Sequence, residues 1–175
     1  VLAFSFSVAF PANGQDDVHL AMGFRVGEVT QTSAIVWSRI TAQPERVWDG
    51  ERRVGRAGKK TVEYTEKIDV DGLQGAVPGT AGQLQLGWTE NKDLSNLQTT
   101  KWINVAAQQD FTHQFLLTDL KPATKYYVIV KARPAGDPTA AATAKIDGSF
   151  TTTATADHWQ NVNFSVITGQ AYRDL

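Results

Sequence analysis

Residues 115–132 read Phe115-Leu116-Leu117-Thr118-Asp119-Leu120-Lys121-Pro122-Ala123-Thr124-Lys125-Tyr126-Tyr127-Val128-Ile129-Val130-Lys131-Ala132. Two strands meeting at a corner account for this pattern. Phe115 and Leu117 alternate with polar or outward positions. After the corner, Tyr126, Val128, Val130 and Ala132 alternate with Tyr127, Ile129 and Lys131. A period of two puts one such set on a buried face and the other outside. Between the arms, Leu120, Pro122 and Thr124 mark a tight crossing, with Pro122 fixing φ where the chain leaves the first strand. Tyr126 then stands where its ring is buried and its hydroxyl bonds back to the backbone of the corner.

The spacing Leu120-x-Pro122-x-Thr124-x-Tyr126-x-Val128-x-Val130-x-Ala132 resembles the signature of fibronectin type III domains. The corner itself is similar to the tyrosine corner of immunoglobulin-like sandwiches. What the resemblance implies is an all-β antiparallel sandwich of about seven strands. The remainder of residues 20–153 supplies candidates for the other strands. Residues 21–29 put Met22, Phe24 and Val26 on one face, and residues 32–40 follow with Ile35 and Trp37 expected inward. Burying Trp37 against the corner strand is expected to contribute roughly 2–3 kcal/mol from area alone. Leu84, Leu86 and Trp88 alternate in residues 83–90, residues 101–107 form a short strand, and residues 112–120 make the first arm of the corner. A loop over residues 133–147 precedes a closing strand in which Phe150 faces inward. No helical periodicity runs long enough to compete.

Residues 41–82 interrupt this order. Charges of both signs alternate there with Gly and Pro, and a stretch this long without a pattern reads as a loop insertion. Val62, Tyr64, Ile68 and Val70 suggest an added hairpin within it.

The chain has 175 residues, enough for one domain and a piece of a second. A net charge of −1 gives no electrostatic reason to expect nucleic acid or an anionic membrane as partner. Cysteine is absent, which excludes disulfides and thiolate metal sites and leaves the sandwich to its apolar core. Residues 1–10 are almost wholly apolar or small, and Ala12-x-Gly14 follows as a small-residue cleavage site. Residues 1–14 therefore read as the remnant of an export signal, with a secreted or periplasmic location expected. No run approaches the ~20 apolar residues of a membrane-spanning helix.

Residues 154–160 form a polar linker. Residues 161–175 then supply an apolar strand, Asn161-Val162-Asn163-Phe164-Ser165-Val166-Ile167, ending in Thr168-Gly169-Gln170. A completed sandwich has no place for such an edge, so this segment reads as the first strand of a following domain.

Gly23, Gly27, Val29, Ser33, Trp37 and Arg39, the corner motif, and a closing Phe150-Thr151-Thr152 before a new strand together resemble the N-terminal domain of PhoD-like alkaline phosphatases. The resemblance covers roughly residues 21–175 apart from the loop. It implies a metallophosphoesterase domain in cis after the linker, hydrolysing phosphate esters with divalent or ferric metal ions (iron, calcium). It implies a non-catalytic accessory role for the sandwich. Many relatives place an iron-ligating Cys where this chain has Gly169, which has no side chain to coordinate anything. No metal ligand and no catalytic residue is therefore carried over. The residues singled out are structural: Trp37, Leu120, Pro122, Tyr126, Val128 and Phe150.

Other motifs fall short. Gly55 to Thr61 has Arg53 where a phosphate-binding loop needs its first Gly. Asp69-Val70-Asp71-Gly72 lacks the later ligands of a calcium loop. His19, His113 and His158 lie far apart, and no Gly-x-Ser-x-Gly is present. Trp48, Trp88, Trp102 and Trp159 leave open an alternative, a free-standing glycan- or protein-binding module.

Overall fold

The computed structural model describes residues 17–50, 69–136, 138–159, 161 and 166. The segment read as an export signal lies outside them. So do most of the expected final strand and most of the expected hairpin in the loop.

Eight strands and two short 3₁₀ turns make up the described chain. β1 (Phe24–Gly27), β2 (Ala34–Arg39) and β6 (Thr112–Leu117) form one antiparallel sheet in the order β1-β2-β6. The second sheet runs β4-β3-β7-β8, from β3 (Gly82–Thr89), β4 (Gln98–Thr99), β7 (Lys125–Pro134) and β8 (Ala144–Thr151). β5 (Ile103–Val105) pairs with the same edge of β3 as β4, one turn of chain further along. This is an all-β sandwich, with β4 a short addition to the strands expected from sequence.

The core lies where alternating residues of both sheets meet. Leu84 and Leu86 of β3, Val128, Val130 and Ala132 of β7, and Phe115 and Leu117 of β6 are buried there, with Ala34 and Val36 of β2. Leu86 pairs with Val130 and Leu84 with Ala132, so the longest strands bring their apolar rows into register. Phe24 of β1 reaches across to β8. A Cβ on Gly148 would stand 2.7 Å from the Phe24 ring, closer than side chains approach one another. Glycine at 148 is what lets the two sheets close at that edge.

β2 turns the opposite way to expectation. Ala34, Val36 and Ser38 are buried, while Ile35 and Trp37 occupy the outer face. Trp37 therefore does not supply the expected core burial. The small residues can face inward because Ser38 is satisfied there: its hydroxyl donates to the Gly23 carbonyl at 2.9 Å. The expected loop over residues 133–147 is also shorter, because β7 continues to Pro134 and β8 begins at Ala144.

The two flanks of the long loop run back along each other at the end of the sandwich. Ala42 donates to Pro78 (2.9 Å), Val47 to Ala76 (2.8 Å) and Gly75 to Val47 (2.8 Å), all through backbone groups. Arg39 pins this base. Its guanidinium bonds the Val77 carbonyl, the Asp110 carbonyl (3.1 Å) and the Asp110 carboxylate (2.9 Å). Asp69 and Asp71, weighed as a calcium loop, belong to a surface turn in which the Asp69 carboxylate accepts from the Asp71 N–H at 3.1 Å.

Candidate functional site

Three features stand out against the regular sandwich: the corner, a cleft beside it, and a groove on the outer face of the three-stranded sheet.

At the corner, Tyr126 is 5% exposed and its phenol oxygen accepts from the Lys121 N–H at 2.8 Å. Phe150, its register partner on β8, stacks on the ring with centroids 5.7 Å apart. Leu120 is buried beneath them, and Pro122 begins the turn to β7 with its carbonyl accepting from the Thr124 hydroxyl at 2.8 Å. Leu120, Pro122, Tyr126, Val128 and Phe150 are thus brought together, and Trp37 is not.

Thr152, quoted from sequence only as part of the closing Phe150-Thr151-Thr152, has a role in this group that the sequence did not show. It is 1% exposed, accepts from the Thr124 N–H at 2.9 Å and donates to the Lys121 carbonyl at 2.6 Å. Both backbone polar groups of Lys121 are therefore satisfied by side chains, one from each of β7 and the end of β8. A buried backbone group left without a partner costs about 1–3 kcal/mol, so these contacts fix the turn.

The cleft next to the corner holds about 420 Å³, between Trp88, Glu90 and Gln98 on one side and Leu116 to Lys121 on the other. Across its mouth Lys121 Nζ meets Glu90 at 2.8 Å. The hydrogen bond and charge of Glu90 hold the Lys121 ammonium pKa above the ordinary lysine range.

The groove on the other side holds about 470 Å³ and is lined by Met22, Arg25, Val26, Gly27, Glu28, Ile35, Trp37 and Gln114. It follows from the orientation of β2, which turns two large apolar side chains outward.

The tryptophans do not form one platform. Trp88 packs partly against the core. Trp102 lies under the Arg133 guanidinium, 4.2 Å from the ring centroid. Trp48 donates to Glu45 at 2.9 Å in the loop base, and Trp159 is fully exposed beyond β8. Arg133 is a second residue whose role the sequence did not show. It is 6% exposed, with its Nε donating to Gln83 at 2.6 Å and another nitrogen to the Ala140 carbonyl at 2.9 Å.

Among the described residues no three His, Asp or Glu side chains gather at a point where they could hold a metal ion. Asp69, one of the pair weighed as a calcium loop, is already engaged in its own turn. The described residues do not fit a metal centre. His113 stands edge-on to Phe115, centroids 4.6 Å apart, and burial lowers its imidazole pKa.

Comparison with known proteins places this arrangement. A family model described as PhoD-like phosphatase, N-terminal domain, matches residues 7–154. Among solved structures, that of PhoD is similar at 12% identity and a TM-score of 0.48, covering 83% of this chain and 21% of that one. The present chain thus spans about a fifth of the PhoD chain. The sensor domain of the anti-sigma factor RsgI4 from Pseudobacteroides cellulosolvens is similar at 16% identity and a TM-score of 0.39, covering 82% of this chain and 99% of that one. A fibronectin type III domain from the human KIAA0970 protein is similar at 12% identity and a TM-score of 0.39, covering 89% and 88%. No curated protein matches. With 148 consecutive positions matched by the family model, the chain belongs to the PhoD-like phosphatase N-terminal domain family.

Proposed function

We propose that the chain is the non-catalytic N-terminal sandwich of an exported PhoD-like phosphatase or phosphodiesterase. The family match over residues 7–154 carries this reading, because the family is that of an N-terminal domain attached to a phosphatase. Residues 154–160 act as the linker, and residues 161–175 open a metallophosphoesterase domain. That domain binds the metal ions, iron and calcium among them, and supplies the hydrolytic chemistry. The sandwich covers one side of it and shapes access to its site. Export rests on the apolar run of residues 1–10 followed by Ala12-x-Gly14.

The test is to read the gene beyond the codon for Leu175. A frame that continues into Gly-Asp and Gly-Asn-His-Asp clusters is the expected outcome. An immediate stop would overturn the reading in favour of a free-standing binding module. The cleft that Trp88 shares with Glu90, Gln98 and Lys121 is the feature that favours that second reading.

A further inference from the structure

The two outer faces of the sandwich differ in chemistry. On the larger sheet the outward rows Gln85-Lys131-Lys145 and Thr89-Tyr127-Ser149 are polar, and Ile129, in the row between them, is buried. The three-stranded sheet instead turns outward Trp37 between Arg25 and Gln114, and Ile35 between Gly27 and Leu116. Leu116 is 65% exposed and Met22, at the rim, 37%. Both cations that the described strands place on this face are engaged locally: Arg25 donates to the Met22 and Phe24 carbonyls at 3.1 and 3.0 Å, and Arg39, next in the outward row of β2, donates to the Val77 carbonyl and the Asp110 carboxylate. Apolar side chains at the centre, cations engaged locally, and the exposed polar groups Glu28 and Gln114 beside them give this face the composition of an interaction surface rather than of a solvated sheet.

Where the chain leaves the sandwich indicates what covers that patch. After β8, Thr153 donates to the Thr30 carbonyl at 3.0 Å, and the Ala123 N–H donates to Thr153 at 3.0 Å. Thr30 lies in the turn between β1 and β2, next to the Gly27-Ile35-Leu116 row. The polypeptide therefore departs from the rim of the apolar face, and six residues later it carries a fully exposed Trp159.

We infer that the outer face of β1, β2 and β6, centred on Ile35, Trp37 and Leu116, is the seat for an apolar surface of the domain that follows in the same polypeptide. This rests on the reading of the chain as an N-terminal accessory domain and names the surface through which it acts. Because the exit point is tethered at the rim, docking is intramolecular and a modest patch suffices.

The 175-residue chain has no cysteine, so an introduced thiol is unique in it, and in the longer protein it is identified by its own peptide. Leu116→Cys and Gln114→Cys report from the face, and Lys145→Cys from the opposite sheet. All three positions are exposed, so the substitutions leave the core intact. Each variant is made in the 175-residue chain and in the full-length protein, and maleimide modification of that residue is followed by peptide mass spectrometry. The expected result is labelling at 116 and 114 slowed at least tenfold in the full-length protein, with 145 unchanged. Equal rates at 116 in both proteins would overturn the inference. So would protection in the 175-residue chain that grows with its concentration, which would mark the face as a contact between copies. Phosphate-ester hydrolysis by the same full-length samples is a separate reading. Protection without hydrolysis would uphold the docking face and remove the phosphatase assignment.

Discussion

The Tyr126 hydroxyl and the Lys121 backbone N–H, five residues apart, are joined by a 2.8 Å hydrogen bond that closes the turn between β6 and β7. The donor belongs to the backbone and the acceptor to a ring held between Phe150 and the core. Tyr126→Phe keeps the ring and removes only the acceptor, leaving the Lys121 N–H without a protein partner. The expected cost is about 1–2 kcal/mol in urea unfolding, seen as a lower midpoint at unchanged slope.

Thr152 holds the other half of the same peptide group through the Lys121 carbonyl. Thr152→Val preserves shape and strands both the Lys121 carbonyl and the Thr124 N–H, with an expected loss of about 2–3 kcal/mol. The two substitutions share one turn. In a double-mutant cycle the pair should lose less than the sum of the single losses, by about 0.5 kcal/mol or more. Simple additivity would show that the two bonds stabilise independent parts of the structure.

The orientation of β2 is tested by comparing its neighbours. Val36 is fully buried and Trp37 is on the outer face. In the 175-residue chain Val36→Ala should cost about 2–3 kcal/mol through lost burial and the cavity left behind. Trp37→Ala should cost about 1 kcal/mol or less, although it removes far more atoms. Thermal or urea unfolding of the two variants decides the matter, and the reverse order would mean that β2 presents its other face to the core.

His113 gives a pH dependence with a definite sign. Burial lowers its imidazole pKa below the ordinary value of 6.5, so the folded state binds its proton less readily than the unfolded chain. Its contribution is fully present above the unfolded pKa and is lost as pH falls from about 6.5 through the folded value. Melting temperature should therefore decline across that window, and His113→Gln should flatten this part of the profile. Below the folded value the histidine contribution levels off.

The corner was legible in the sequence because its determinants are local. A period of two on either side of Pro122 and a tyrosine four residues later need no distant partner to be read. β2 was misread because Ala34-Val36-Ser38 and Ile35-Trp37 both alternate, and bulk pointed to the wrong set. The deciding fact, a carbonyl at Gly23 ready to accept from Ser38, lies fifteen residues away. The roles of Thr152 and Arg133 were invisible for the same reason, since their partners Lys121 and Gln83 are distant in the chain. The base of the long loop shows no alternation because backbone bonds between its flanks, not buried side chains, hold it together.

The most direct test is turnover of a chromogenic phosphate ester by two purified proteins, the 175-residue chain and the product of the longer reading frame, each supplied with divalent or ferric metal ions. The expected result is hydrolysis by the longer protein and none by the chain alone. Turnover by the pure 175-residue chain would contradict the assignment of a non-catalytic role to this sandwich.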